Sequence, residues 1–397
     1  MHPHILIITI ATILNTDSHF QLTMTENDSH KNSIALQEEK LFKMSIIGDA
    51  FVDIMCVLDS DENNNNCALK LDGGDTRINQ AVQILPGGSA LNTATCLHAL
   101  VIGESSYKTD IELQTVLNES DSHGKLILEH CHRHGISLVN NSTLDNNNKS
   151  STAHCVVLVS NNERSFLTHL GSLEQYKASD IKITPHTTNE THYIHIAGYY
   201  NIPGFWNGAL KQTIQNMRKQ YENQIIVSLV TQYDATECWD GQLIDLLQEV
   251  DVLILNEIEA NSVTKFKLDK DIATFFHKAS PSTHVIVTKG AEGATSLHQG
   301  QVIHNQCACP SVLVVDPTGA GDAFAAGFIH GLCEGNNIYD KHNDNGRATV
   351  VRKTINYDTI RNGLRWGCAT GALCIQKIGA SIPCDKKEAL ELKESLI

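Results

Sequence analysis

The sequence predicts an α/β fold in three layers: a mainly parallel sheet with helices on both faces, plus a small β lid. Three observations carry this. From Ser45 onward, short apolar runs alternate with stretches of helical length, the rhythm of a parallel sheet crossed by helices. Two segments leave that rhythm and supply strands for an accessory sheet. Near the C-terminus, a glycine turn carrying one aspartate joins a valine-rich run to a helix that is apolar almost all round.

Taken in order, the chain opens on ILIITIATIL (Ile5–Leu14), an apolar run too short to span a membrane. No Lys or Arg precedes it and no small-residue cleavage pattern follows, which argues against a secretory signal. Residues 15–43 are polar and irregular. The expected division is an N-terminal extension over 1–43, disordered or targeting, and one domain over 44–397, with a cytoplasmic location. SIIGDAFVDIM, HYIHIAG, IIVSL, VLILN and HVIVTKG read as sheet strands. TRINQAVQIL (Thr76–Leu85) alternates imperfectly, and TAHCVVLVSNNERSFLTHL (Thr152–Leu170) reads as two strands around a polar turn. Lid strands are therefore expected near 54–85 and 151–171. Asn-rich pieces at 61–66, 140–148 and 336–345 read as surface loops. SVLVV (Ser311–Val315) reads as a buried strand, and AFAAGFIHGL after Asp322 as a buried helix.

Composition narrows the functional classes. The 397 residues are 41% hydrophobic, enough for a sizeable core. A net charge of -15 without a basic stripe argues against nucleic acid or an acidic membrane as partner. The twelve cysteines are scattered and sit mostly in apolar runs, as reduced buried thiols do. HCHRH sets His130 and His134 at i,i+4, a spacing able to chelate a metal, but only Glu129 lies near to complete a set. A helix C-terminus before Gly135 is the favoured reading, because the dipole suits histidines there.

The chemistry centres on VVDPTGAGDAFAAGF (Val314–Phe328). A helix N-terminus presents unpaired amides, and glycine lets an anion approach them, so the turn is a phosphate cradle. No P-loop Gly-Lys-Ser/Thr sequence occurs anywhere. A carboxylate, Asp322, stands where that motif would place a cation. Amides and dipole would hold it ionised. It could then take a proton from an attacking hydroxyl while the amides of Gly319, Ala320 and Gly321 stabilise a transferring phosphoryl group. The plain alternative is an ordinary first-turn acid after a glycine turn.

DPTGAGDAFAAGF resembles the C-terminal signature of the PfkB, or ribokinase-like, family of carbohydrate and nucleoside kinases. PGGSALNTATCLHAL (Pro86–Leu100) is similar to the family's N-terminal signature, and GDAFVD, NEIE and TKGAEG resemble three smaller motifs in the family's order. The resemblance runs from Met44 to the C-terminus. It implies a ribokinase-like fold and an ATP-dependent phosphotransferase moving the γ-phosphate of ATP to a hydroxymethyl group of a small sugar. A nucleoside is the alternative acceptor, and a catalytically silent relative the third reading. The resemblance assigns Asp53, Gly87, Gly88 and Asn92 to the substrate, with Asp322 as base. Asn256, Thr288, Lys289, Gly290, Gly293 and Gly321 would meet the nucleotide, and Glu259 would act on Mg²⁺ through water. Asp316 and Thr318 would help to hold a monovalent cation such as K⁺. The lid would exclude water and could pair two subunits into a homodimer. Within the lid hairpin, Phe166 is the one aromatic able to stack a base, and Arg164 would meet a phosphate or carboxylate of the substrate. Val230 departs from the pattern, since many sugar kinases carry Asp there.

Overall fold

The computed structural model describes residues 41–396 except 59–77, 79, 105–107, 143–149, 161–162, 184–189, 222–224, 311, 335–338, 345–346 and 353–354. Most of the expected extension therefore lies outside the described residues, although Leu41–Lys43 already belong to the first strand.

Apolar alternation on both faces of the strands produces a central sheet with two cores. In β10 (Val252–Asn256), Val252 and Ile254 join one core while Leu253 and Leu255 join the other. Side chains of successive residues point to opposite faces, so a strand apolar throughout must be covered on both. Among the described residues the sheet has nine strands. Its order is β13 (Gln301–Gln306), β12 (Ala294–His298), β11 (His284–Thr288), β10, β9 (Ile225–Val230), β8 (Glu190–Ala197), β1 (Leu41–Gly48), β4 (Lys108–Thr115) and β5 (Ser137–Asn140). All neighbours are parallel except β11–β12 and β12–β13. One core packs α1 (Ser89–Val101), α2 (Ser122–Arg133), α7 (Ala320–Glu334), α8 (Tyr357–Cys374) and α9 (Lys386–Ser395) against the sheet. The other packs α3 (Ala209–Gln220), α4 (Leu243–Leu246), α5 (Glu257–Thr264) and α6 (Asp269–Ala279). Those are the three layers. After β1 the chain runs to β4 and β5 on one side and later returns to β8 on the other. That reversal makes a switch point at the carboxyl ends of β1 and β8, where open α/β sheets take their ligands.

SIIGDAFVDIM is not one strand. It breaks at Asp49–Ala50, sending β1 into the main sheet and β2 (Phe51–Val57) into a four-stranded accessory sheet. That sheet runs β3 (Gln83–Gly87), β2, β6 (His154–Ser160), β7 (Glu163–His169). Register places Asp53 opposite Leu85 and Cys155, and Val157 opposite Phe166. Asp53, Phe166 and Arg164 thus share one face of the lid.

Other expectations need correction. Ser311 lies outside the described residues, and Val312–Val315 form no strand. Leu313 is 75% exposed, and Val315 and Asp316 both donate their amides to the Ile375 carbonyl at the end of α8. The segment is a strap across a helix end, because a strand needs a neighbour and, among the described residues, no strand pairs with it. Part of the Asn-rich 336–345 piece is also regular: β14 (Tyr339–Asp344) pairs antiparallel with β15 (Arg347–Arg352). AFAAGFIHGL is buried as expected, with α1 on one side and α8 on the other. His130 lies in the last turn of α2, its ring 4.5 Å from that of His134 and hydrogen-bonded to Thr95 Oγ1, while Glu129 pairs with Arg133. Among the described residues, no helix is long and apolar enough to cross a membrane.

Candidate active site

Two helices bring their first turns to one point. α1 begins after Gly88 and α7 at Ala320, and the two lie side by side. Ser89 Oγ donates to Asp322 Oδ1 at 2.7 Å and Asn92 Nδ2 to Asp322 Oδ2 at 2.8 Å. Gln232 Nε2, from the turn after β9, donates to Oδ1 at 3.0 Å. Burial pushes the Asp322 carboxyl up to about 7, against the hydrogen bonds of Asn92 and Ser89 and with the charges of Asp49 and Glu259. The expectation of a carboxylate kept fully ionised by amides is thereby corrected. Loss of water outweighs the donors. Asn92 Oδ1 is buried without a hydrogen-bond partner, an acceptor left for a hydroxyl.

Asp53 lies against Gly87, where any Cβ would collide with its carboxylate. Burial, then the charges of Asp49 and Asp316, lift its carboxyl to about 6. Asp49, at the end of β1, accepts from Ala90 N at 3.2 Å and from Asn201 Nδ2 at 2.6 Å. Its carboxyl is likewise raised to about 6, chiefly by burial. Gly88 offers α1 no side-chain cap, so Asp49 caps that helix from another strand.

On the opposite side, Asn256 and Glu259 form a capping box at the start of α5, and Thr231 Oγ1 donates to Glu259 Oε2 at 3.1 Å. With Asn256 N and Nδ2 also donating, Glu259 has three donors, leaving about one of a carboxylate's four acceptor positions. Burial raises its pKa. Lys289 Nζ is held by Asp269 at 2.6 and 2.8 Å, and Thr288 Oγ1 donates to the Leu255 carbonyl at 3.4 Å. Gly290 has φ +54° and open space around it, whereas Gly293, at φ +98°, abuts the Gln306 carbonyl.

The cradle itself turns on Gly319, φ +78°, whose Cβ would lie 2.7 Å from that of Ala380. Ala320 donates its amide to the Pro317 carbonyl at 3.3 Å. Nothing lies within 4 Å of a Cβ built at Gly321. Asp316 accepts from Thr318 N at 2.8 Å, Gly379 N at 3.0 Å and Arg164 at 2.6 Å. Burial works to raise its pKa, but the donors Gly379 and Thr318 and the Arg164 charge prevail and hold it below the usual carboxylate value. Arg164 thus ties the lid to the cradle.

A family model described as pfkB family carbohydrate kinase matches residues 50–387. The chain belongs to the pfkB family. Among similar proteins, fructokinase of Escherichia coli is 45% identical over 87 residues, 22% of this chain and 27% of that one. Adenosine kinase of Schizosaccharomyces pombe is 27% identical over 47% of this chain and 58% of its own. The chain thus matches less than two thirds of the length of both. Adenosine kinase of Saccharomyces cerevisiae is 25% identical over 77% of this chain and 82% of its own. Among solved structures, ribokinase from Giardia lamblia has a TM-score of 0.66 at 18% identity, covering 88% of this chain and 99% of that one. Arabidopsis thaliana ribokinase complexed with ribose and ATP has 0.61 at 24%, covering 90% and 99%. At these identities the likeness is one of fold.

The structure brings Asn92 to Asp322, sets Asp53 against Gly87 and near Asp316, and pairs Asn256 with Thr288 at the carboxyl ends of β10 and β11; Lys289, held by Asp269, and Gly290 and Gly293 follow β11. Four further residues, Asp49, Ser89, Thr231 and Gln232, join this cluster. Asp49 stood inside GDAFVD, where a strand-end acid beside glycine was a usable signal. Ser89 opened a helix directly after two glycines. Thr231 and Gln232 bore no signal, because an unusual turn decides what they touch.

Proposed function

We propose that this pfkB chain is an ATP-dependent kinase that phosphorylates a hydroxymethyl group of a small sugar. The observation that carries the reading is Asp322: buried, poised near pH 7 and directly beside a glycine turn open at Gly321. Asp53 and Asn92 Oδ1 would hold the sugar hydroxyls, a carboxylate and an amide oxygen both being acceptors. Asp322 takes the proton of the attacking hydroxyl as its oxygen bonds to the γ-phosphorus and the bond to the β–γ bridging oxygen breaks, giving ADP and the sugar phosphate. The amides of Gly319 and Gly321 are better placed than that of Ala320, already engaged with Pro317, to meet the phosphoryl oxygens. Glu259 would hold Mg²⁺, which would supply positive charge against the phosphates. Glu259, with a single acceptor position left, suits a hold through water. Thr288, Lys289, Gly290, Gly293 and Asn256 would line the nucleotide. A monovalent cation fits less well: Thr318 Oγ1 is buried without a partner, but Asp316 already carries the Arg164 guanidinium. That pair also takes Arg164 from its expected role on a substrate anion.

ADP release from Mg-ATP across a panel of furanoses, ketoses and nucleosides tests the reading. Turnover driven by one acceptor sustains it, and a panel with no response above background removes it. The nucleoside reading has one observation in its favour. Phe166 is 57% exposed on the lid face that carries Asp53, where a base could stack. If the acceptor is a nucleoside, Phe166→Ala raises its KM about tenfold, the loss of one stacked ring. An unchanged KM leaves the sugar.

A further inference from the structure

The turn after β9 touches both ends of the reaction centre with adjacent residues. Thr231, fully buried, donates to Glu259, and Gln232, half-buried, donates to Asp322. Gln232 does so from φ +64°, a left-handed conformation rare outside glycine. Four of the seven non-glycine residues with positive φ among those described, Gln232, Glu237, Trp239 and Gln242, lie in this loop. Asp234 fixes it by accepting from Thr236 N and Oγ1 and from Trp239 N at 2.6 Å. Strain retained in this way marks a place where the surrounding structure over-determines the backbone.

An ionised carboxylate only accepts, so the Gln232 amide reaches Asp322 with its NH₂ end. Oδ1 then has two donors, Ser89 and Gln232, and Oδ2 has one, Asn92. Ser89 and Asn92 come from the buried start of α1; Gln232 comes from the side left partly open to solvent. We propose that Gln232 is a positioning residue that occupies the acceptor-hydroxyl's place on the base, keeping Asp322 from activating water until a hydroxyl acceptor displaces it. The inference rests on the kinase reading. Without an acceptor, the reaction to be suppressed is hydrolysis: water oxygen bonds to the γ-phosphorus, the bond to the β–γ bridging oxygen breaks, and Asp322 takes the proton. A hydroxyl replaces the amide bond for bond. The Gln232 side chain lies on the half-open side, so it can leave Asp322 without moving the loop backbone that Asp234 fixes.

Gln232→Asn is the discriminating variant. Asparagine tolerates the left-handed region, and its side chain is one methylene too short to reach Asp322. Phosphate release from Mg-ATP without acceptor is measured beside acceptor phosphorylation, in wild type, Gln232→Asn, Asp322→Asn and the double variant. The expected result is a ratio of hydrolysis to transfer about tenfold above wild type in Gln232→Asn, returning to the Asp322→Asn background in the double variant. Gln232→Gly, free of strain in the same conformation, is expected to uncouple likewise and stands in should the asparagine variant not fold. Transfer by wild type with an unchanged ratio in both variants overturns the gate and leaves the kinase standing. Absence of acceptor phosphorylation in wild type takes both down.

Discussion

Asp322→Asn is expected to lower kcat on the preferred acceptor by about a thousandfold, the usual worth of a well-placed general base, while Mg-ATP binding survives. The same substitution should make the protein more stable above neutral pH. Both effects follow from burial of the carboxyl, which lifts it from 3.8 to about 7. The base works only when ionised, so wild-type kcat/KM should fall about tenfold per pH unit below about 7 and level off above it. Stability runs the other way. Below pH 3.8 the carboxyl is protonated in both folded and unfolded chains, and nothing is lost. Between 3.8 and about 7 the unfolded chain releases the proton that the folded one retains, so stability falls as pH rises, and the full loss, roughly 4 kcal/mol, is reached above about 7. Asparagine keeps the shape without the charge and escapes that loss. Asp49 and Asp53, each raised to about 6, act in the same sense. The difference between variant and wild type in urea midpoint at pH 8 against pH 4 therefore isolates Asp322. A variant that is inactive but no more stable at pH 8 would mean the carboxyl is not held as burial dictates.

The site was legible in the sequence to the extent that glycine and carboxylate punctuate it. PGGSALN and DPTGAGD each combine a turn that only glycine tolerates with the first turn of a helix, so backbone geometry announces them. The meeting of Ser89 and Asn92 with Asp322, across more than two hundred residues, needed the fold. Local pattern misled where tertiary context decides exposure. Leu313, Val314 and Val315 have strand-like composition yet are exposed, the segment being tied to the end of α8 through the Ile375 carbonyl instead of to a strand. SIIGDAFVDIM is apolar enough for one strand, but the buried Asp49, held by Ala90 and Asn201, turns the chain into a second sheet. Gln232 was illegible because its role depends on a left-handed turn that glutamine does not advertise.

The two glycine turns make opposite demands, and this gives the sharpest separation of fold from function. Gly88→Ala is expected to damage folding. At φ +98° an alanine is strained, and its Cβ would lie 2.8 Å from the Ala50 Cα, the Asp49 carbonyl oxygen and the Phe51 nitrogen, all backbone atoms unable to move aside cheaply. Strain and overpacking together cost roughly 2–6 kcal/mol, a large part of what holds an ordinary domain folded. Little soluble protein, or a collapsed urea midpoint, is the expected result. Gly321→Ala meets nothing within 4 Å and lies in the first turn of α7. Alanine is the better helix former there by about 0.5–1 kcal/mol, so the midpoint should hold or rise. Yet the added methyl stands in the space the phosphoryl group would use beside Asp322, and phosphoryl transfer should fall by about a hundredfold, the scale of losing one oxyanion donor. A stable and active Gly321→Ala would place the phosphate elsewhere. A stable and inactive one, set against an unfolded Gly88→Ala, assigns the second glycine turn to the ligand and the first to the β3–α1 turn, packed on Asp49–Phe51, that positions Ser89 and Asn92 on Asp322.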